Sequence, residues 1–146
     1  MKKIIIAIDS FKGCLTSAEA GKAAEKGIKS INPFCHTSVI PIADGGEGLL
    51  DVLITATKGK YITLSAHGPL MKMAKTHYGL SGNGRTAIIE MAAISGLPLV
   101  PIEQRNPMLT TTFGTGELIK DALNKGCRNF IIGIGGSATN DAGLGM

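Results

Sequence analysis

The stretch "IIIAIDSFKGCLTSAEA", residues 4–20, determines the fold prediction. Residues 4–8 are a continuous apolar and mostly β-branched run, which is typical of a strand buried on both faces of a parallel sheet. A loop follows, and Thr16 with Glu19 three positions later makes the capping-box pattern that begins a helix. A strand, a loop and a helix in this order predict the first unit of an open α/β sheet.

The next forty residues repeat this order. Residues 37–43 predict a second strand, "DGGEG" at 44–48 a turn, and residues 50–57 a second helix that ends at Gly59. The chain therefore begins as an open, Rossmann-like β-α-β-α segment. From Lys60 the pattern changes to alternating, hairpin-like strands. We predict two α/β domains with a boundary after residue 62, so that residues 1–62 and 63–146 each form the first part of one domain.

Further elements are predicted in the second segment. Residues 76–80 and 87–91 are expected to be strands joined through the hairpin-type loop "SGNG". An apolar stripe around residues 118–123 predicts a helix that ends at Gly126. Residues 130–134 predict a buried strand, which leads into the glycine-rich stretch "GIGGSATNDAGLGM" at the end of the printed sequence.

Composition excludes several classes of function. The 146 residues carry a scattered net charge of +4, no Trp and only 4% aromatic residues, so platforms for stacking nucleic-acid bases are scarce. The three cysteines are widely spaced without a CxxC pair, which argues against a zinc site or a disulfide framework and favours reduced thiols in the cytoplasm. No apolar segment approaches the roughly 20 residues that span a bilayer. We expect neither nucleic acid nor a membrane as a partner.

Three predicted loops follow strand ends: residues 9–13, 44–48 and 135–141. In open α/β sheets, ligands bind outside the carboxyl ends of the strands, so these loops are expected to meet at one crevice. Each loop combines small residues with at least one carboxylate. In the first, the Lys12 ammonium is suited to an anionic oxygen and the Ser10 hydroxyl to a hydrogen bond with the same group. A solvated strand-end loop is the alternative.

The "DGGEG" loop has two interpretations. In the structural one, Asp44 caps the second helix and Glu47 completes an Asp-x-x-Glu capping box. In the functional one, the glycine pair lets a phosphate or carboxylate approach the backbone N–H groups at a helix N-terminus. Two acids beside such an anion are sensible where Mg²⁺ bridges them, or where one accepts a proton from a hydroxyl.

The glycines of "GIGGSATND" fit no standard nucleotide motif well. Gly133, Gly135 and Ala138 match the dinucleotide fingerprint G-x-G-x-x-A only weakly, and no Gly-Lys-Ser/Thr follows to make a Walker A loop. A phosphate-binding turn with Asp141 near a metal or a hydroxyl remains, beside a purely structural turn. In "NPMLTTTFGTGEL", residues 106–118, ligand contact and simple helix capping by Thr112 or Thr115 are both open.

Taken together, these stretches resemble the bacterial-type glycerate kinases. The matching strings include "AIDSFKG", "PIADGGEG", "AIIEMAAISGL", "QRNPMLTTTFGTGELI" and "IIGIGGSATNDAG". The resemblance implies transfer of the ATP γ-phosphoryl group to a hydroxyl of D-glycerate with Mg²⁺, in a cleft between two α/β domains. It also implies that family members continue far beyond this segment and complete both domains there, and that Ala142 stands where the family usually has Gly. A chain truncated in this way is expected to be inactive alone.

The resemblance also suggests which residues form the site. The catalytic candidates are Asp44, Asp141 and Lys12, and the metal-binding candidates are Asp44, Glu47 and Asp141. The candidates for contact with substrate or nucleotide are Asp9, Ser10, Gly45, Gly46, Glu47, Gly135, Gly136, Ser137 and Asn140.

The sequence leaves several questions open. Either the C2 or the C3 hydroxyl of glycerate is phosphorylated. The alternatives to a kinase are a non-catalytic nucleotide- or phosphate-binding remnant and a dinucleotide-binding fragment. A sheet with open edges is expected to associate with a second copy, so a homo-oligomer is also predicted.

Overall fold

The computed structural model describes residues 3–146, which fold into two compact units, the first ending at Asp44 and the second being Gly45–Met146. The elements are β1 Lys3–Ile6, α1 Ser17–Ile31, β2 His36–Val39, α2 Leu49–Thr57, β3 Lys60–His67, β4 Met73–Leu80, β5 Thr86–Glu90, α3 Ala92–Ser95, 3₁₀ turns at Leu97–Leu99 and Ile102–Gln104, α4 Phe113–Asn124 and β6 Asn129–Gly133.

The first unit is the predicted strand-helix-strand. Strands β1 and β2 pair in parallel, and α1 connects them. The capping box is confirmed: the Glu19 N–H donates to Thr16 Oγ1 at 3.2 Å, and the Thr16 N–H donates to Glu19 Oε2 at 2.9 Å. The buried Ser17 hydroxyl then donates to the Ile8 carbonyl oxygen at 2.6 Å and so ties the helix start to the chain beyond β1.

The expected burial of β1 on both faces is wrong. The strand ends at Ile6, and Ile4 and Ile5 are 36% and 59% exposed. The sheet of this unit has two strands and the described part of the unit has one helix, so an apolar run here is covered on one side only. The run identifies the strand correctly, but it does not specify how many neighbours the strand has.

The second unit is built on a mixed sheet in the order β3-β4-β5-β6, in which the last pair is parallel and the other pairs are antiparallel. Helices cover both faces. Ala87 and Ile89 pack with Leu118 of α4, whereas Ile88 between them packs with Leu50 of α2. Because successive strand residues point to opposite faces, the unit is a helix-sheet-helix sandwich. The predicted α/β class is confirmed.

The prediction of a buried last strand needs a similar correction. Strand β6 runs parallel to β5 but lies at the edge of the sheet, and Ile131 and Ile132 are 43% and 38% exposed. An edge strand has a neighbour on one side only, so its apolar side chains are less covered than those of the central β5.

The domain boundary after residue 62 stays a prediction. Within the described chain, α2 belongs to the same compact unit as the four-stranded sheet, because Leu50 and Ile54 pack beside Gly79 of β4. The three cysteines are free thiols. Between residues 3 and 146, no helix is long and apolar enough to cross a membrane.

Candidate functional site

Two of the predicted glycine loops lie in contact within the second unit. The Gly135 N–H donates to the Gly45 carbonyl oxygen at 3.0 Å. A Cβ atom placed on Gly135 would lie 2.7 Å from the Gly46 Cα atom, and one on Gly133 would lie 2.6 Å from the Gly45 oxygen. The backbones therefore approach each other at a distance that only glycine allows. The expected meeting of residues 45–46 with residues 135–136 is present in the structure.

The local sequence explains how this contact forms. Strands β5 and β6 are parallel neighbours, so both end at the same edge of the sheet, where residues 135–136 follow β6. Residues 45–48 precede α2, and Gly45 and Gly48 adopt φ angles of +100° and +89°, in the left-handed region that glycine occupies without strain. The loop thus turns sharply into the helix.

The capping-box interpretation of "DGGEG" is wrong. Helix α2 begins at Leu49 with Gly48 as its N-cap, and no side chain caps it. Asp44 lies too far before the helix to be its N-cap, because the left-handed Gly48 breaks the helical path that an Asp-x-x-Glu box would need. A capping box therefore does not explain the acids of this loop, and the loop provides no side-chain cap for the helix.

Glu90 lies at this helix N-terminus and was not among the predicted site residues. It ends β5, is half-buried, and its Oε2 atom accepts the Leu50 N–H at 3.2 Å. Burial raises the pKa of its carboxyl group, as do the nearby Asp51 and Glu47, while hydrogen bonds from the Leu50 and Gly48 backbone oppose the shift. The signal was present in "AIIEM", where a carboxylate ends an apolar strand at its carboxyl end.

The turn after β6 is anchored to α3 and to the connection that follows it. The Leu97 N–H donates to the Gly136 carbonyl oxygen at 2.9 Å, and the Ala138 N–H donates to the Ser95 carbonyl oxygen at 2.9 Å. The Ser137 hydroxyl lies 2.8 Å from the Thr139 hydroxyl and accepts the Thr139 N–H at 3.0 Å. The turn therefore presents two neighbouring hydroxyl groups on a fixed backbone, while Asn140 beyond them is exposed.

Asp141 is held at the start of α4. Its Oδ2 atom accepts the Thr112 N–H at 2.8 Å and the Thr112 hydroxyl at 2.9 Å, and its Oδ1 atom accepts the Gly143 N–H at 3.1 Å. Burial acts to raise the pKa of Asp141, but these hydrogen bonds outweigh it and lower the pKa below its ordinary value. Both oxygens are engaged by protein donors, and the carboxylate lies where a helix N-terminus favours negative charge.

The threonines of "NPMLTTTFGTGEL" do not cap α4 as expected. Thr112 occupies the N-cap position, but its side chain makes no capping bond and donates to Asp141 instead. Thr115 lies inside the helix, buried, with its hydroxyl 2.8 Å from that of Ser95. The Phe113 N–H is satisfied by the Thr111 hydroxyl at 3.2 Å. The capping prediction missed this because it did not anticipate Asp141 as the acceptor.

The remaining candidates lie in the first unit. Asp9, Ser10 and Lys12 share the loop after β1, where the Ser10 N–H donates to Asp9 Oδ1 at 2.7 Å. Asp9 and Ser10 are half-buried, whereas Lys12 is exposed. Asp44, also exposed, ends this unit. Among residues 3–146, no group of three or more His, Cys, Asp or Glu side chains is arranged to hold a metal ion.

Replacing Gly135 with Ala is expected to lower the free energy of unfolding by about 1–3 kcal/mol, because the new methyl group would press on the Gly46 backbone. Urea unfolding measures the change. Ala142→Gly in the same segment is the matched control, and it should raise stability because Ala142 adopts a φ of +51°. Equal stability of Gly135→Ala and the wild type would contradict the close contact between the two loops.

Replacing Asp141 with Asn is expected to cost about 1 kcal/mol at pH 7, because the carboxylate that holds the start of α4 is lost. The folded-state pKa is depressed, so the stability that the charge contributes is present above the ordinary value of 3.8 and is lost as the pH falls through the folded pKa. Thermal unfolding between pH 2.5 and 7 should show the two proteins converging in acid. A constant difference across that range would argue against a role for the charge.

Comparisons with known proteins identify what this chain is similar to. The family model described as "Glycerate kinase family" matches residues 4–146. A glycerate kinase of Haemophilus influenzae is 56% identical over 99% of this chain and 38% of its own length, and a glycerate 2-kinase of Escherichia coli is 52% identical with the same coverage. A solved structure, a putative glycerate kinase 2 of Salmonella typhimurium LT2, superimposes with a TM-score of 0.82 at 50% identity over 99% of this chain and 39% of that one. The chain thus spans about 38% of the length of these curated relatives.

Proposed function

Because this chain belongs to the glycerate kinase family, we propose that it forms part of an enzyme that transfers a phosphoryl group from ATP to D-glycerate. The observation that carries the proposal is the contact between residues 45–46 and residues 135–136 beside the start of α2. Glycine loops are suited to phosphate, since they let a ligand come close to the backbone.

In phosphoryl transfer, the protein contributes mainly by positioning the reactants and neutralising their charge. We propose that the Lys12 ammonium neutralises anionic oxygens and that Asp9 and Ser10 hold its loop in place and bind ligand. Gly136 offers its backbone N–H group to the phosphates, while Gly135, whose N–H is bonded to the Gly45 carbonyl oxygen, lets the ligand come close to the backbone. Asp44 is exposed, and we propose that it acts as the general base that accepts the proton of the attacking hydroxyl.

Asp141 takes a different role in this proposal. Its carboxylate already accepts hydrogen bonds from the Thr112 and Gly143 N–H groups. Protonation of the carboxylate would weaken these bonds, which hold the start of α4. We therefore assign Asp141 to positioning, where it holds the turn that carries Ser137 and Asn140. Of the two candidate proton acceptors, Asp44 and Asp141, we therefore propose Asp44.

Mg²⁺ accompanies ATP in such reactions, and we propose that carboxylates near the start of α2 supply its protein ligands. Mg²⁺ takes oxygen ligands, commonly one or two carboxylates together with phosphate oxygens and waters. Glu47 and Glu90 act on each other electrostatically at the start of α2 and would supply such oxygens, with Asp44 before them in the chain. When bound, the ion would neutralise phosphate charge. We leave Asp141 out of this ligand set because its carboxylate serves as the anchor for the start of α4.

The site of phosphorylation and the compartment are also proposed. The Escherichia coli relative is named a glycerate 2-kinase, and at 52% identity we assign the C2 hydroxyl to this protein as well. The three free thiols favour the reducing cytoplasm. Self-association through the open edges of β1 and β6 stays a prediction.

The proposal is tested by ADP release, measured with a coupling enzyme in the presence of D-glycerate and Mg-ATP. Two proteins are compared: this chain, and a completed fusion in which the part of the Haemophilus influenzae relative that this chain does not cover is joined after residue 146. Glycerate-dependent ADP release by the completed fusion is the expected result. ATP binding without turnover in both proteins would instead support the non-catalytic module, and NAD binding without ATP binding would support the dinucleotide-binding fragment.

A further inference from the structure

The second unit contains a small cavity of about 200 Å³ beside the turn that follows residues 135–136. Its lining residues come from three segments: the chain after α3, the connection before α4, and the turn after β6. They include Arg105, Asn106, Thr110, Ser137 and Thr139. We propose that this cavity binds the carboxylate of a small hydroxy acid, with Arg105 as its cation; the identity of that acid as D-glycerate rests on the proposed function.

Arg105 provides a positive charge that the described chain does not neutralise. Arg105 is exposed, and its Nε–H donates to the Val100 carbonyl oxygen at 3.2 Å, which orients the guanidinium without compensating its charge. Within residues 3–146, no carboxylate forms an ion pair with it. A guanidinium offers a fork of donors that matches the two oxygens of a carboxylate, and such charged pairs are about twice as strong as neutral hydrogen bonds.

The other polar groups of the cavity suit the hydroxyls of such an acid. The Ser137 and Thr139 hydroxyls are hydrogen-bonded to each other at 2.8 Å, and the Ser137 hydroxyl also accepts the Thr139 N–H. The Thr139 hydroxyl keeps capacity for a further hydrogen bond to a ligand. Asn106 uses its Oδ1 atom to accept the Met108 N–H at 3.0 Å, which leaves its NH₂ group as a donor. A cation, an amide donor and two hydroxyls therefore line one small space, and this combination matches a carboxylate that carries hydroxyl groups.

The cavity is built on a rigid frame. The buried Thr110 hydroxyl donates to the Ala138 carbonyl oxygen at 2.7 Å, and the Ala138 N–H is bonded to the Ser95 carbonyl oxygen. Such a frame reduces the ordering cost of binding. The volume is below the roughly 300–1,000 Å³ of pockets for drug-sized molecules, and a space of about 200 Å³ suits a three-carbon acid.

The place of the cavity agrees with the reaction. Ser137 directly follows Gly136, so an acid bound here would lie next to the glycine loops proposed to hold phosphate. The carboxylate and the transferred phosphoryl group would then be held by adjacent parts of one turn. Arg105 becomes a substrate-specificity residue in this arrangement.

Calorimetric titration of this chain tests the inference, with D-glycerate, glycerol and inorganic phosphate as three separate ligands. The wild type should bind D-glycerate saturably and should not bind glycerol, which has the hydroxyls but no carboxylate. Arg105→Gln should weaken D-glycerate binding by about 10- to 100-fold, and Arg105→Lys should fall between the two because it keeps the charge without the fork. Arg85→Gln, which removes the same charge from an exposed loop residue, should bind as the wild type does.

Three results would overturn the inference: equal affinity of wild type and Arg105→Gln for D-glycerate, no binding of D-glycerate by the folded wild type, or phosphate binding at Arg105 as tight as that of D-glycerate. The completed fusion separates these failures from failure of the proposed function. Glycerate-dependent turnover with an unchanged KM in Arg105→Gln would support the kinase function but contradict binding of the carboxylate in this cavity. Arg105-dependent binding of D-glycerate without turnover would support the cavity but contradict the kinase function.

Discussion

Asp44→Asn in the completed fusion is expected to lower kcat/KM for D-glycerate by about 10²- to 10⁴-fold, the range typical for loss of a proton-transferring group. The amide cannot accept the hydroxyl proton and would also be a poorer ligand for a cation.

Lys12→Ala should lower kcat/KM by a similar factor, because we propose that the ammonium stabilises the negative charge that develops on the phosphoryl oxygens. Steady-state kinetics with both substrates varied gives the measurement.

Controls for these variants are chosen from exposed residues of the same charge. Lys22→Ala on α1 matches Lys12→Ala, and Glu103→Gln in the connection before α4 matches Asp44→Asn. Both controls should keep kcat/KM close to that of the wild type, and all four variants should unfold at similar urea concentrations. Wild-type kcat/KM in both Asp44→Asn and Lys12→Ala would show that the site assignment is wrong.

Gly114→Ala is expected to have the largest effect on stability, a loss of about 3 kcal/mol or more. Helix α4 passes so close to β3 at this point that a Cβ atom on Gly114 would overlap the His67 carbonyl oxygen and lie 2.8 Å from the Ile94 Cγ1 atom. Ile94 is fully buried and the His67 oxygen is backbone, so neither can move aside cheaply. Urea unfolding with a fixed m-value measures the loss.

Gly27→Ala is the matched control for this substitution. Gly27 also lies in a helix, but a Cβ atom there would meet nothing within 4 Å. Removing a helical glycine at an open position should stabilise the protein by about 0.5–1 kcal/mol. Opposite signs for the two variants would assign the cost at Gly114 to packing against β3. A change in Gly114→Ala of less than about 0.5 kcal/mol would contradict that packing.

The order of strands and helices could be predicted from the sequence because local patterns control it. The Thr16–Glu19 capping box and the apolar run of β1 are both local patterns. The helix begins at the expected residue, and β1 forms in the expected run but ends at Ile6, before the predicted end at residue 8. Burial could not be predicted in the same way. It depends on how many neighbours a strand has, and this is why Ile5 of β1 and Ile132 of β6 are more exposed than their apolar runs suggested.

In the candidate site too, features set by neighbouring residues could be predicted, whereas features set by distant residues could not. The glycine pairs were visible in the sequence because each pair is local. The strand-end rule does not explain their meeting, since β2 and β6 belong to different sheets and residues 45–46 come to residues 135–136 as the loop that precedes α2. Glu90 was missed because its partner, Leu50, is forty residues away in the chain. Arg105 was missed because it stands in a connection rich in proline, and only the folded chain places it beside the turn at residues 137–139.

The most direct test of the proposed phosphotransfer is detection of the product by ³¹P NMR, with the completed fusion, Mg-ATP and D-glycerate in one tube. The proposal predicts a new phosphomonoester resonance that grows as the ATP γ-phosphate signal falls, with proton coupling that identifies 2-phosphoglycerate. It also predicts that omitting D-glycerate leaves the ATP signals unchanged. Loss of ATP to inorganic phosphate alone, or no change with D-glycerate present in a folded protein, would contradict it.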